Sequence, residues 1–78
     1  MTRSVRLNTP FIKLDQLLKF AEVASSGGEA SAFISGGLIS RDGVILLERG
    51  KKIRPGDTVR CRIPGMEEII LEILEQEP

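Results

Sequence analysis

Four turn-forming pairs cut the second half of the chain into pieces too short for most helices: Gly36-Gly37, Asp42-Gly43, Pro55-Gly56 and Pro64-Gly65. Glycine and aspartate tolerate backbone angles that other residues avoid, and proline pre-sets φ for a tight turn. The segments between the pairs therefore read as short strands. Asp42-Gly43 suits a primed two-residue turn, which predicts a hairpin of 38–40 with 44–47. Pro55-Gly56 suits the two central positions of a tight turn. In TVRCRI that follows, Thr58, Arg60 and Arg62 alternate with Val59, Cys61 and Ile63, so one face is wet and the other buried.

The first half has a different period. Ser4–Leu7 alternates as a short half-exposed strand, and Asn8, Thr9 and Pro10 break it. Leu14, Leu17, Leu18 and Ala21 then recur at helical spacing, which predicts an amphipathic helix of roughly three turns. Asp15 suits its first turn and is placed to pair with Lys19. Ser26 with Glu29 matches a capping box, and Gly36-Gly37 marks a stop. A second helix is expected over 27–35. Residues 67–75 fit either a helix or a strand. The adjacent isoleucines and the preceding turn favour a strand, over about 68–74, pairing with a strand at about 3–7 and setting its acids against Arg3 and Arg6. On that strand Glu67 and Glu68 point to opposite faces.

These readings combine into an α+β fold: two short packed helices against a small, mostly antiparallel sheet. With 78 residues the chain is expected to be a single domain over 1–78, with one small core and no room for a buried cofactor. The single cysteine excludes an internal disulfide, and its place on the buried face makes it a small hydrophobe. MTRSVRLNTP lacks the apolar run of a signal peptide, and no stretch reaches the roughly 20 apolar residues of a membrane span. A cytoplasmic protein with no membrane contact is expected.

Catalysis has little to work with. There is no histidine, and no serine has a recognisable base beside it. No carboxylate spacing suggests a metal. No catalytic residue, metal, cofactor or small-molecule substrate is expected.

Charge carries more information. The net charge is zero, but all 11 basic residues lie in 1–66 with six of the acidic ones, a surplus of five. Residues 67–78 hold five acids and no base. RGKKIRPGD, from Arg49 to Asp57, concentrates four cations in nine positions. Charge runs are usually solvated loops. Here Arg49, Lys51 and Lys52 can converge with Lys13, at the start of the first helix, on the start of the second at Gly27 and Gly28. An open helix N-terminus suits an anion, although the two glycines also simply permit a tight interhelical link. Ile53, between two basic pairs, is expected to bury. The chain has no Trp or Tyr. Phe20 and Phe33 are read as core residues and Phe11 as a strand or staple residue. A basic surface without a stacking platform suits the backbone of structured RNA.

The run from Lys13 to Val59 also resembles a known family. Its carrying residues are Lys13-Leu14-Asp15 with Leu17 or Leu18, Ser26, Ala30, Ile34, Gly37, Ile39, Asp42-Gly43 and Pro55-Gly56-Asp57-Thr58-Val59. In this order they resemble the S-four-type RNA-binding domain, or αL RNA-binding motif. It occurs in a small-subunit ribosomal protein, bacterial tyrosyl-tRNA synthetases and pseudouridine synthases. The flanking strands make the chain most like small single-domain bacterial members. The resemblance implies the same fold, with a core motif over about 13–59. It implies an RNA surface at Lys13, Asp15, Ser25 to Gly28, Arg49, Lys51 and Lys52, with Asp15 orienting Lys13 or the turn rather than facing phosphate. The common pattern has arginine where this chain has Lys13, and often at Gly27. The expected function is non-catalytic recognition of structured RNA, rRNA or tRNA, on the ribosome or its assembly intermediates. The alternative is a protein-interaction module that pairs through a sheet edge or the acidic C-terminal strand.

Overall fold

The computed structural model describes residues 1–76, which run in the order β1 (Thr2–Leu7), β2 (Ile12–Lys13), α1 (Leu14–Phe20), α2 (Gly27–Ser35), β3 (Ile39–Arg41), β4 (Val44–Ile45), β5 (Lys52–Ile53), β6 (Thr58–Cys61) and β7 (Ile69–Glu75). Five strands form a sheet in the order β1-β7-β6-β3-β4. Only β1 and β7 pair in parallel, so the sheet is mostly antiparallel, as expected. The strands β2 and β5 form a separate two-stranded ribbon, which sequence periodicity does not reveal because each strand has only two residues.

The turns behave as their residues require. Asp42 and Gly43 have φ of 52° and 83°, the paired positive values of a type I′ hairpin. Gly56 has φ 97°, and Asp57 N–H donates to the Arg54 carbonyl at 3.0 Å across the Pro55-Gly56 turn. The Asp57 carboxylate closes the same turn by accepting from Arg54 N–H at 2.8 Å.

The ambiguous C-terminal segment is a strand. Ile69, Leu71 and Ile73 are buried on one face, while Glu72 is exposed on the other. This strand lies between β1 and β6, so its two edges are already paired. That position overturns two expectations. The acidic strand has no free edge to offer a protein partner. Nor do its acids meet Arg3 and Arg6: in the parallel register those residues lie opposite Leu71 and Leu74. Arg3 instead donates to the Ala21 carbonyl at 2.6 Å, and Arg6 to the Glu75 carbonyl at 3.3 Å. Glu67 and Glu68 precede the strand rather than sharing it. Glu68 pairs with Arg62 at 2.8 Å and Arg60 at 3.8 Å. Glu77 lies outside the described residues.

Helix α1 is shorter than its apolar pattern suggests, about two turns instead of three. The reason is its C-terminus. Glu22 sits at φ 60°, and the N–H groups of Glu22 and Val23 return to the carbonyls of Lys19 and Leu18. This is a Schellman stop built on a residue other than glycine. The left-handed region disfavours residues with a Cβ. Glu22→Gly is therefore expected to stabilise the fold by about 0.5–1 kcal/mol, read as a raised urea midpoint. Destabilisation instead would show that the glutamate side chain contributes more than its backbone strain costs.

Helix α2 matches the expected span. Ser26 Oγ accepts from Glu29 N–H at 3.1 Å, but the reciprocal bond goes to the Ser25 N–H, at 2.9 Å, rather than to Ser26. Gly37, at φ 75°, ends the helix with its own Schellman pair. Both helices lay Leu14, Leu17, Leu18, Ala30 and Ile34 on one sheet face, against Val5, Val59, Cys61, Leu71 and Ile73. Burial pushes the Cys61 thiol up to about 12, despite the opposing pull of Arg3, so it packs as an inert hydrophobe. Among the described residues, no helix is long and apolar enough to cross a membrane.

Candidate nucleic-acid interface

The basic loop is tied to α1 by its main chain. The N-cap residue Lys13 gives α1 no side-chain cap. Instead Leu14 N–H donates to the Lys51 carbonyl at 2.9 Å and Asp15 N–H to the Arg49 carbonyl at 3.0 Å. Gln16 N–H is taken by the Asp15 carboxylate at 2.8 Å. The first three N–H groups of the helix are thus satisfied internally. Loop 49–51 acts as the missing cap, and its side chains are held at a fixed place beside the helix.

Asp15 completes the attachment. It is 6% exposed, and its carboxylate accepts from Arg49 Nε at 3.3 Å and Nη2 at 3.2 Å. The expected pair with Lys19 is not among the ion pairs of the described residues. The i+4 neighbour loses to a guanidinium that supplies two donors in fork geometry. Asp15 is therefore a positioning residue, buried behind Arg49. Part of the Arg49 donor set is spent on it, although the side chain remains 64% exposed.

The ribbon then brings two cations together. Lys13 and Lys52 are register partners across β2 and β5, so both project from the same face. Like charges directly opposite one another cost stability. Lys52 Nζ rests 4.9 Å from the centroid of the Phe11 ring, a cation–π contact that recovers part of that cost. Ile53, between Lys52 and Arg54, is fully buried, as expected. Strand alternation then returns Arg54 to the Lys52 side.

Arg54 and Arg41 are the residues that sequence reasoning missed. Both line a shallow groove of about 320 Å³ with Lys51 and Lys52. Arg41 reaches it across the sheet, donating to the Lys52 carbonyl at 3.0 Å and pairing with Asp57 at 3.5 Å. The Lys52-Ile53-Arg54 alternation was the available signal for Arg54. Nothing local marks Arg41, whose place depends on the β3–β6 pairing. Among the described residues, Glu48 is the one acid lining the groove.

Ser25, Ser26, Gly27 and Gly28 form a second element of the surface, at the start of α2. Among the described residues, no acceptor is bonded to the Gly27 or Gly28 N–H, and a Cβ added at Gly27 would meet nothing within 4 Å. Ser26 and the Glu29 carboxylate cap the rest of this helix end, so the Gly27 and Gly28 N–H groups are the part of it left open. No hydrogen bond or ion pair joins it to the β2–β5 ribbon. The structure thus brings Lys13, Asp15, Arg49, Lys51 and Lys52 into one cluster and places Ser25–Gly28 on the adjoining helix.

Phe20 departs from its expected place. It is 64% exposed at the end of α1 instead of buried. Phe33 packs against the core, and Phe11 lies beneath Lys52. Among the described residues, no group of three His, Cys, Asp or Glu side chains is placed to hold a metal ion.

No curated protein matches the chain. The family model for the S4 domain does match it, over residues 5–70, a span that takes in both helices, the hairpin, the basic ribbon and the start of β7. S4 domains are generally RNA-binding modules. The match covers most of the chain, and its limits fall on the elements just described. The chain belongs to the S4 domain family.

Proposed function

We propose that the chain, as a single unit over 1–78, is a non-catalytic cytoplasmic module that binds structured RNA, rRNA or tRNA, through its phosphate backbone. The observation that carries this reading is the Lys13–Lys52 cross-strand pair. A fold that sets two cations face to face accepts a cost that a bound phosphate converts into a gain. Lys51 and Arg54 extend the pair along the groove. Arg49 reaches the same surface from its anchor on Asp15. Within Ser25 to Gly28, the unbonded Gly27 and Gly28 N–H groups at the start of α2 receive a further phosphate. With no metal or cofactor in the reading, recognition rests on charge and shape, and sequence specificity is low. An acid-poor groove suits either target, including ribosomal RNA on the ribosome or an assembly intermediate.

The test is a salt titration of binding to a structured RNA, with tRNA and an rRNA hairpin as probes. Contacts from Lys13, Lys51, Lys52 and Arg54 predict a log–log slope of about −3 to −4. Affinity is then expected to fall roughly 60- to 250-fold between 50 and 200 mM salt. A flat salt response, or negligible binding at low salt, would overturn the reading.

One observation favours a second role. Val44, Ile45 and Leu47 are exposed at the end of the sheet, where β4 is an edge strand. An uncovered aliphatic edge suits contact with a protein. It adjoins the basic groove through Glu48 and Lys51 and does not compete with it.

A further inference from the structure

The exposed face of α1 continues the basic surface to a site of another kind. Lys13 at the cap, Gln16 three residues on and Phe20 seven residues on follow one helical stripe, and all three are exposed. The opposite stripe, Leu14, Leu17 and Leu18, is the one that enters the core. Phe20 is therefore held out of the core by the helix itself and not by a local irregularity. It closes the stripe beside a groove of about 380 Å³ that it lines with Arg3, Ser4, Val5, Arg6 and Ala21.

The chemistry along this stripe changes in order. Lys13 and Lys52 offer cations at one end. Gln16 offers an amide that both donates and accepts. Phe20 offers a ring face, next to the Ala21 carbonyl that the Arg3 guanidinium binds at 2.6 Å. Seven residues of helix rise about 10 Å, close to three stacked bases at 3.4 Å each. A strand held by its phosphates at the lysine pair therefore passes the ring within a few nucleotides. Paired bases are closed to an aromatic face, whereas an unpaired base can splay out and stack on one.

We infer that Phe20 is a stacking site for a single unpaired base of the bound RNA, with Gln16 placed to meet that base's edge. The inference rests on the RNA-binding reading and narrows its target: a helix interrupted by a bulged or flipped base, rather than a continuous duplex.

The experiment uses the full chain and two RNA hairpins that differ by one 2-aminopurine bulge. The bulged hairpin is expected to bind at least about fivefold tighter, the lower end of what base–aromatic stacking supplies. Its 2-aminopurine fluorescence should change on binding. Phe20→Ala is expected to remove the preference, bringing the bulged hairpin down to the affinity of the paired one. Phe20→Trp should retain the preference and give a tryptophan signal quenched by the base. Equal affinity of the wild-type protein for the two hairpins, or a preference that survives Phe20→Ala, would overturn the stacking site while leaving backbone binding in place. Absence of binding to either hairpin at low salt would overturn both.

Discussion

Lys52→Glu is expected to weaken RNA binding by more than the loss of one contact, while leaving the fold about as stable as before. The new carboxylate would stand opposite Lys13 in the ribbon and pair with it. One substitution then withdraws two cations from the RNA: Lys52 by replacement and Lys13 by internal neutralisation. Each phosphate contact contributes roughly five- to eightfold in affinity at 0.1 M salt, so the loss should be about 25- to 60-fold, with the salt slope shallower by about two contacts. Lys51→Glu has no such cross-strand partner and should cost about one contact, roughly five- to eightfold. In stability, relief of the like-charge pair is offset by loss of the Lys52–Phe11 contact, and the net change should stay within about 1 kcal/mol. Filter binding across a salt series, with urea denaturation alongside, separates these effects. If Lys52→Glu and Lys51→Glu prove equal in affinity and slope, Lys13 is not part of the RNA surface.

Leu71→Ala is expected to have the largest effect on the fold. Leu71 is fully buried on β7, opposite Val59 on one side and Arg3 on the other. Removing a buried leucine side chain costs about 2–5 kcal/mol through lost burial and the cavity left behind. A chain of this size has roughly 4–12 kcal/mol to lose, so much of the population should be unfolded at 37 °C. Circular dichroism during thermal and urea unfolding reads this directly. A loss below about 1 kcal/mol would mean that the two layers close over the vacated volume. The contrast with Lys52→Glu separates the two demands on the sequence, since one change removes binding without unfolding and the other unfolds without touching the interface.

Much of this architecture was legible because its signals are local. Asp42-Gly43 and Pro55-Gly56 carry turn chemistry in two residues, and Ser26 with Glu29 marks the start of α2 in four. The errors fall where a distant partner decides. Asp15 reads as half of an Asp15–Lys19 pair until loop 49–51 folds over the helix and brings Arg49 to it. Phe20 continues an apolar run, but its place on the helix lies off the Leu14, Leu17 and Leu18 stripe that enters the core, which leaves the ring outside. The acids of the last strand were set against Arg3 and Arg6 because composition shows charge but not register, and a parallel register shifts the partners. The candidate RNA residues divide in the same way. Lys13 and Lys52 were individually visible, whereas their opposition across a two-residue ribbon, and the convergence of Arg41 and Arg54 on the same groove, belong to the tertiary structure.

The position of β7 has a consequence for the order in which the protein forms. The last strand in sequence lies inside the sheet, and its neighbour on one side is the first strand, with Thr2 beside Ile70 and Leu7 beside Glu75. During synthesis the first strand must remain without its partner until nearly the whole described chain has been made. Closing a contact of that separation precedes any return in packing, which slows folding. The helix pair and the β3–β4 hairpin, built from near neighbours, can form early and wait. The nascent chain should therefore present its basic ribbon and helix pair before its sheet is closed, so that an RNA bound early at the proposed surface would act as a template on which the final strand locks.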